Sequence, residues 1–548
     1  MFEHNRETLD KALTAIAERG YWSAYPESPS PRVYGEGSAE RGRQAFEGHL
    51  GERFALDQPG TGAWIGDERS PYGIDLGVTY PESSATDLIA AAGAALPAWR
   101  DAGPEARALT CVEIVNRINE RSFELAHAVQ HTTGQAFVMA FQAGGPHAQD
   151  RALEAIAYGY AAMTASASSA RWEKPGKGDP LVMDKRFTVV PRGVALVIGC
   201  NTFPTWNAYP GLFASLVTGN PVIVKPHPRA VLPLAITVRI AREVLAEAGF
   251  DPALVQLAAE EGRGLAVELA TDPDVRVIDF TGSTEFGDWL EQNARHALVH
   301  TEKAGVNTVV IDSTGSWRGM LGNLAFSLSL YSGQMCTAPQ NILIPAAGIS
   351  TDEGHKSFDE VADGLAQAVR ELLSDDARAV ELTGAIVNPD VLSRVESSPL
   401  LGDTVLESRS PKHPAFPDAV VRTPAILRVA PSQTDVYGHE HFGPISFVIP
   451  TSSTAESLDV LRRTIRARGA LTASVYSTSA AVLEQAERAA LDAGVNLSCN
   501  LTGGVFVNQS AAFSDYHGTG ANPAATASLT DPGYVAGRFH LVQSRRPA

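Results

Sequence analysis

The sequence predicts an α/β protein built on doubly wound parallel sheets. Three observations carry this expectation. Beyond about residue 193, continuous apolar runs of strand length alternate with runs of helical period. Runs such as "VALVIG" and "PVIVKP" lack the in–out alternation of a half-exposed strand, so both faces should be covered by helices. A similar alternation resumes after about Thr308, and 548 residues exceed what one simple core usually organises, so two or three packed units are expected.

Taken in order, "NRETLDKALTAIAERG" reads as an amphipathic helix with Leu9, Leu13 and Ile16 on one face and Gly20 as its stop. The Pro-, Gly- and charge-rich stretch to about Asp67 reads as an irregular surface arm. Three alanine-rich helical segments follow, from "ATDLIAAAGAALPAWRD" to "AQDRALEAIAYGYAAMTASA". Near Trp172 the chain becomes polar and turn-rich, with a short strand around "RFTVV". Strands at "VALVIG", "PVIVKP", "LVQLAA" and "VRVIDFTG" then enclose helices at "YPGLFASLVTGN" and "LPLAITVRIAREVLAEAG". The second set comprises strands at "TVVIDS", "QNILIP", "ISFVIP" and "LTASVYS", with a long helix at "SFDEVADGLAQAVRELL". The tail "GYVAGRFHLVQSRR" reads as strand-rich.

Composition narrows the function classes. A net charge of −18 without a basic stripe argues against a nucleic-acid partner. The four cysteines, Cys111, Cys200, Cys336 and Cys499, have neither zinc spacing nor a disulfide-dense pattern, which fits free thiols in a reducing compartment. The start carries charges throughout and no apolar signal core, and no segment has the length of a membrane span. The expectation is a cytoplasmic protein with no membrane partner and no metal.

Candidate chemistry gathers in a few stretches. Cys336, in "LYSGQMCTAPQ", sits among polar residues and glycine rather than in an apolar run, a setting for a nucleophile if its thiolate is favoured. Glu302, in "LVHTEKAGVNTVVI" 34 residues upstream, is a candidate general base if buried. Lys225 ends a strand, where open α/β sheets bind ligands. In "DFTGSTEFGDWL", Gly282 permits a tight turn and Ser283 can cap a helix, a junction suited to phosphate. Each alone has an ordinary structural explanation: a solvated lysine, a surface carboxylate paired with Lys303, a capped turn. Cys111 and Cys499 read as core, and Cys200 as lining the site without reacting.

The order of "NTFP", "VKP", "FTGSTE", "TEKAG", "SGQMC" and "HEHFGP" across roughly residues 70 to 520 resembles the aldehyde dehydrogenase superfamily. "ERGYWSAYPESPSPRVYGEG" and "CNTFPTWNAYPG" bring it closest to the PaaN-type, ring-opening enzymes of phenylacetate degradation. The resemblance implies an N-terminal helix and arm (1–67), a Rossmann-like dinucleotide-binding domain (68–172 and 193–302), an α/β catalytic domain (303–522) and a small β oligomerisation element (173–192 and 523–548). It further implies a homodimer or dimer of dimers. Cys336 would be the nucleophile that forms a thiohemiacetal and then a thioester, and Glu302 the base that activates water. A side-chain amide would join the Cys336 N–H at the oxyanion. Counting back from Lys225 puts Thr202 where the family has Asn, so Asn201 is favoured, Thr202 is the alternative, and Asn207 is set aside as too near Lys225.

For the cofactor, the resemblance assigns Lys225, Thr281, Gly282, Ser283, Glu440 and Phe442. Pro228 stands where NAD-preferring members often carry Glu, with His227 and Arg229 beside it, and this favours NADP over NAD. The implied substrate is a CoA-linked semialdehyde, with a separate hydratase opening the ring upstream. A CoA-acylating dehydrogenase and a non-catalytic nucleotide-binding or structural protein are the alternatives. Trp206, Tyr331 and Phe513 are candidates for the tunnel wall.

Overall fold

In the computed structural model, which describes residues 2–262, 264–303 and 305–548, the two expected α/β units are each organised by their own sheet. Of the sequence motifs, only Ala304 in "TEKAG" lies outside the described residues. The first sheet is parallel throughout, in the order Val255–Leu257, Val222–Lys225, Val194–Ile198, Val275–Thr281, Leu298–Glu302. The chain therefore reverses its direction of strand addition between Val194–Ile198 and Val275–Thr281. A crevice opens outside the carboxyl ends of strands at such a switch point, and ligands bind there. Every residue of Val194–Ile198 and Val222–Lys225 is buried, as continuous apolar runs require.

The second sheet has seven strands, ordered Asp403–Leu406, Ala425–Arg428, Ile445–Thr451, Asn341–Pro345, Thr308–Ile311, Thr472–Tyr476, Asn496–Cys499. Only the Asp403–Leu406 edge strand is antiparallel to its neighbour. The helix Phe358–Leu372 begins with the capping box of Ser357 and Glu360 and buries Val361, Leu365 and Val369 on one face.

Three expectations are corrected in detail. The first helix, Arg6–Glu18, ends not at Gly20 but at Arg19, which takes a left-handed φ of 57°. Its guanidinium is held there by Glu154, the Tyr158 hydroxyl and the Ser514 carbonyl. The arm contains helices Pro31–Tyr34 and Ser38–Glu47 and is anchored by buried Tyr25, Phe46 and Phe54. Burying such side chains contributes about 1.5–3 kcal/mol each, which an irregular surface strap would forgo. Cys499 is half-buried rather than core, while Cys111 is fully buried.

The region near Trp172 is a longer antiparallel sheet than expected, Ser169–Lys174 with Leu181–Pro191, completed by Phe539–Pro547. Both of its faces are largely exposed. The tail enters this sheet through a short helix, Pro532–Ala536, and a buried ion pair. Arg538 donates to both oxygens of Asp279, at 2.7 and 2.6 Å, and the Tyr534 hydroxyl donates to the same carboxylate at 2.6 Å. Among the described residues no helix is long and apolar enough to cross a membrane.

Candidate active site

Cys336 follows a segment of unusual backbone. Tyr331, Ser332 and Gly333 take φ values of 51°, 49° and 60°, three successive left-handed residues of which only one is glycine. L-residues visit that region singly and at a cost of about 1–3 kcal/mol each, so the surroundings must enforce it. They do so with buried hydrogen bonds. The Tyr331 hydroxyl donates to Thr133 O at 2.5 Å, and the Ser332 hydroxyl donates to Arg422 O at 2.7 Å. Gln334 donates to Ala385 O at 3.0 Å and accepts from Val387 N at 3.2 Å. Asn307 then clamps the loop, donating to the carbonyls of Cys336 and Ala338 while accepting from Leu471 and Thr472 N–H groups. The thiol is thus delivered by a rigid loop, and Tyr331 is a fully buried post of that loop rather than tunnel wall.

Glu302 ends the Leu298–Glu302 strand and is buried, without Lys303, whose ammonium pairs instead with Asp288 and Glu291. Its Oε2 accepts from the Asn207 amide and from His517 Nε2, both at 3.3 Å. Burial alone would push this carboxyl up. The His517 imidazole and hydrogen bonds from His517, Cys336 and Asn207 outweigh burial and leave it below the usual carboxylate range. An ionised carboxylate only accepts, so Nε2 carries the hydrogen of this contact. The same nitrogen lies 3.7 Å from Cys336 Sγ. Burial pushes the Cys336 thiol well above its ordinary range, and the neighbouring Glu302 carboxylate adds to this. The resting sulfur therefore holds its proton beside an ionised base.

Asn201 is turned away. Its amide donates to Thr132 O at 3.3 Å, and the Thr202 carbonyl accepts from Gln135 at 2.7 Å. The amide facing Glu302 belongs to Asn207, which the distance from Lys225 had set aside. Phe203, Trp206 and Asn207 fall on one face at the start of the Pro204–Val217 helix, and all three line the cavity that contains Cys336. Cys200 donates to Asn207 Oδ1 at 3.6 Å, and burial pushes its thiol up to about 11. Trp206 lines the cavity as expected, whereas Phe513 is fully buried in the core. His517 and Asn307 escaped the sequence reading. His517 lies 181 residues beyond Cys336, in a Gly- and Thr-rich loop with no periodicity to single it out.

Four of the six cofactor candidates, Lys225, Thr281, Gly282 and Ser283, gather at the carboxyl ends of the first sheet, and Glu440 and Phe442 lie in a loop of the second unit. Buried Lys225 pairs with Glu260 at 2.6 Å, from the end of the neighbouring Val255–Leu257 strand. Thr281 ends its strand, Gly282 N donates to Glu302 O at 3.0 Å, and the Ser283 hydroxyl caps the Thr284–Asn293 helix by accepting from Phe286 N. A buried cation and carboxylate on adjacent strand ends, beside a capped helix N-terminus at the switch point, fit the ribose and pyrophosphate of a dinucleotide. Glu440 accepts from Gly305 N at 3.5 Å, and burial pushes its carboxyl up to about 7. The Phe442 carbonyl is held by Arg394. Gly333 joins this loop to the nucleophile loop: a Cβ there would lie 2.4 Å from the Gly443 carbonyl oxygen.

Comparison with known proteins agrees with this geometry. Residues 76–521 match the model of the aldehyde dehydrogenase family. The N-succinylglutamate 5-semialdehyde dehydrogenase of Paraburkholderia xenovorans is 27% identical over 425 residues, 75% of this chain and 78% of that one. The crystal structure of an NAD-dependent aldehyde dehydrogenase from Burkholderia multivorans superposes with a TM-score of 0.99 at 58% identity, covering 100% of this chain and 99% of the other. A 1-pyrroline-5-carboxylate dehydrogenase from Thermus thermophilus, 21% identical over 96% of this chain and 99% of its own, shares the fold with a TM-score of 0.77. With the match spanning most of its length, this chain belongs to the aldehyde dehydrogenase family.

Proposed function

We propose that the protein oxidises an aldehyde to a carboxylic acid, with Cys336 as nucleophile and Glu302 as base. The observation that carries this reading is geometric: the buried Glu302 carboxylate, Cys336 Sγ and a His517 ring nitrogen lie within 4.8 Å of one another, and Cys336 opens on the cavity. As Sγ bonds to the carbonyl carbon, the thiol proton passes to Glu302 and the carbonyl oxygen becomes an oxyanion. The Cys336 N–H and the Asn207 amide are the donors assigned to it. The His517 N–H then faces the sulfur and Glu302 and holds both in place. A nicotinamide bound in the crevice supplies the acceptor for the hydride that leaves the carbon. Glu302 next releases the thiol proton to solvent and takes a proton from water. The resulting hydroxide attacks the thioester carbon, the C–S bond breaks, and Glu302 returns its proton to the sulfur as the carboxylic acid departs. Aldehyde, water and oxidised nucleotide give acid, reduced nucleotide and a proton.

Lys225, Thr281, Gly282, Ser283, Glu440 and Phe442 are assigned to the nucleotide. We favour NAD over the NADP that Pro228 suggested. Glu260 supplies beside Lys225 the carboxylate that position 228 lacks, and such a group accepts from ribose hydroxyls and repels a 2′-phosphate. The NAD dependence of the Burkholderia relative points the same way. The exposed sheet built on Leu181–Pro191, with Leu181, Leu541 and Val542 more than half exposed, is assigned to self-association as dimers. The CoA-linked semialdehyde of phenylacetate degradation rests on resemblance alone, and the ionised base beside Cys336 favours water over CoA as the acyl acceptor. Nucleotide reduction by the purified protein with NAD or NADP and simple aldehydes, beside Cys336→Ala, tests the reading. Reduction that vanishes in the variant supports it, and reduction that persists refutes the role of Cys336. Glu260→Gln should narrow the preference for NAD.

A further inference from the structure

The cavity that reaches Cys336 encloses about 620 Å³, room for a ring-sized body rather than a two-carbon aldehyde alone. Its inner wall is apolar and aromatic. Phe326 and Phe506 stack with centroids 4.0 Å apart, and Trp206 stands edge-on to His517 at 4.6 Å, with Met139, Phe203 and Met335 completing the lining. The charges are all of one sign. Glu27, Asp150, Glu381 and Asp515 line the cavity, and among the described lining residues there is no lysine or arginine.

The positions of these groups separate a mouth from a wall. Glu27, Glu381 and Asp515 are exposed, while Asp150 is buried and holds the arm by accepting from the Ser23 hydroxyl and Ala24 N. His147 pairs with Glu27 at 2.8 Å. A guanidinium behind the lining, that of Arg151, is buried: it pairs at 2.7 Å with Glu154, which it shares with Arg19, and donates to Ser510 Oγ. The Trp206 ring lies under it, so a substrate anion in the cavity would not reach it directly.

An anionic aldehyde entering this cavity would leave water, meet carboxylates and gain no compensating cation, an arrangement that disfavours binding. We infer that the substrate is an aldehyde with an apolar, ring-sized body and no negative charge, and that a cationic group at its far end is tolerated or favoured. The inference rests on the aldehyde-oxidation reading and deepens it. It sets this site apart from one for a carboxylated semialdehyde or a CoA thioester.

The test compares 3-phenylpropanals that carry a para carboxylate, tert-butyl or trimethylammonio group, with propanal as the plain control. Two methylenes insulate the carbonyl from ring electronics, so charge is the variable. For the wild type, kcat/KM for the neutral compound should exceed that for the carboxylate by about tenfold or more, and the gap should shrink with added salt, because exposed charges are screened. The trimethylammonio compound should match or exceed the neutral one. Glu27→Lys/Glu381→Lys, both at exposed positions of the mouth, should narrow or invert the ratio, each variant's ratio being taken between its own two substrates. A carboxylated or CoA-linked aldehyde that equals or beats the neutral compound overturns the inference and leaves the oxidation reading intact. If no aldehyde, propanal included, is oxidised with either nucleotide, the oxidation reading fails and this inference with it.

Discussion

Replacing His517 separates an active-site histidine from a bystander. His517→Leu removes the Nε2–H that faces both Glu302 Oε2 and Cys336 Sγ. Glu302 is then left with the Asn207 amide and the thiol, its other oxygen already having no partner. A hydrogen bond to a charged group contributes about 1.5–3 kcal/mol. At 3.3 Å the contact is just beyond the usual 2.7–3.2 Å range, which favours the lower part of that span. At about 1.4 kcal/mol per pH unit, the loss amounts to roughly one pH unit. The sign follows from the role. A base works only when ionised, so activity is lost as pH falls through its pKa, and the imidazole holds that pKa down. Removing it moves the acidic limb of kcat/KM upward by about one pH unit. Iodoacetamide labelling of Cys336 should slow in parallel, since the emerging thiolate loses a donor. His517→Gln, whose amide can still donate, should restore most of both properties. An acidic limb that stays put in His517→Leu, or one displaced equally in the Gln variant, would refute the argument.

Other substitutions test the neighbouring claims. Asn207→Ala should lower kcat by about 10²–10³, as for loss of an oxyanion donor, while Asn201→Ala, whose amide serves the Thr132 carbonyl, should have a much milder effect in the same steady-state assay. Gly333→Ala places a Cβ against the Gly443 carbonyl at a φ of 60°; a cost of about 1–3 kcal/mol in urea unfolding, with loss of turnover, is the expected result. Asp279→Ala strands the buried Arg538 guanidinium. It should cost about 3–5 kcal/mol in urea unfolding.

The two parallel sheets were legible because buried strands advertise themselves as unbroken apolar runs, and the helices between them keep a 3.6-residue period. The small sheet was only half visible. Its strands are mostly exposed and carry little hydrophobic pattern, so "RFTVV" stood out while the Ser169–Lys174 partner did not. The arm misled for the opposite reason. Its composition is that of a loop, yet three well-spaced aromatics, Tyr25, Phe46 and Phe54, are buried against the core, and Asp150 accepts from Ser23 and Ala24.

The site divides along the same line. Residues at fixed places in a strand-to-helix junction, such as Lys225 and Ser283, announce themselves by local rules that hold wherever a parallel strand ends. Those that converge from distant segments do not. Asn207 was set aside on its distance along the chain from Lys225, yet a helix brings every third and fourth residue to one face, and its amide contacts Glu302. Asn307 holds the Cys336 loop through backbone carbonyls, and a contact of that kind leaves no trace in the identity of its partners. His517 reaches the sulfur from a segment 181 residues further along the chain. Its two short-range partners, Glu302 and Cys336, come from the first sheet's last strand and from a strained loop of the second unit, so the histidine records the docking of one unit on the other. A change that loosens that docking should therefore be felt in the acidic limb of the pH profile.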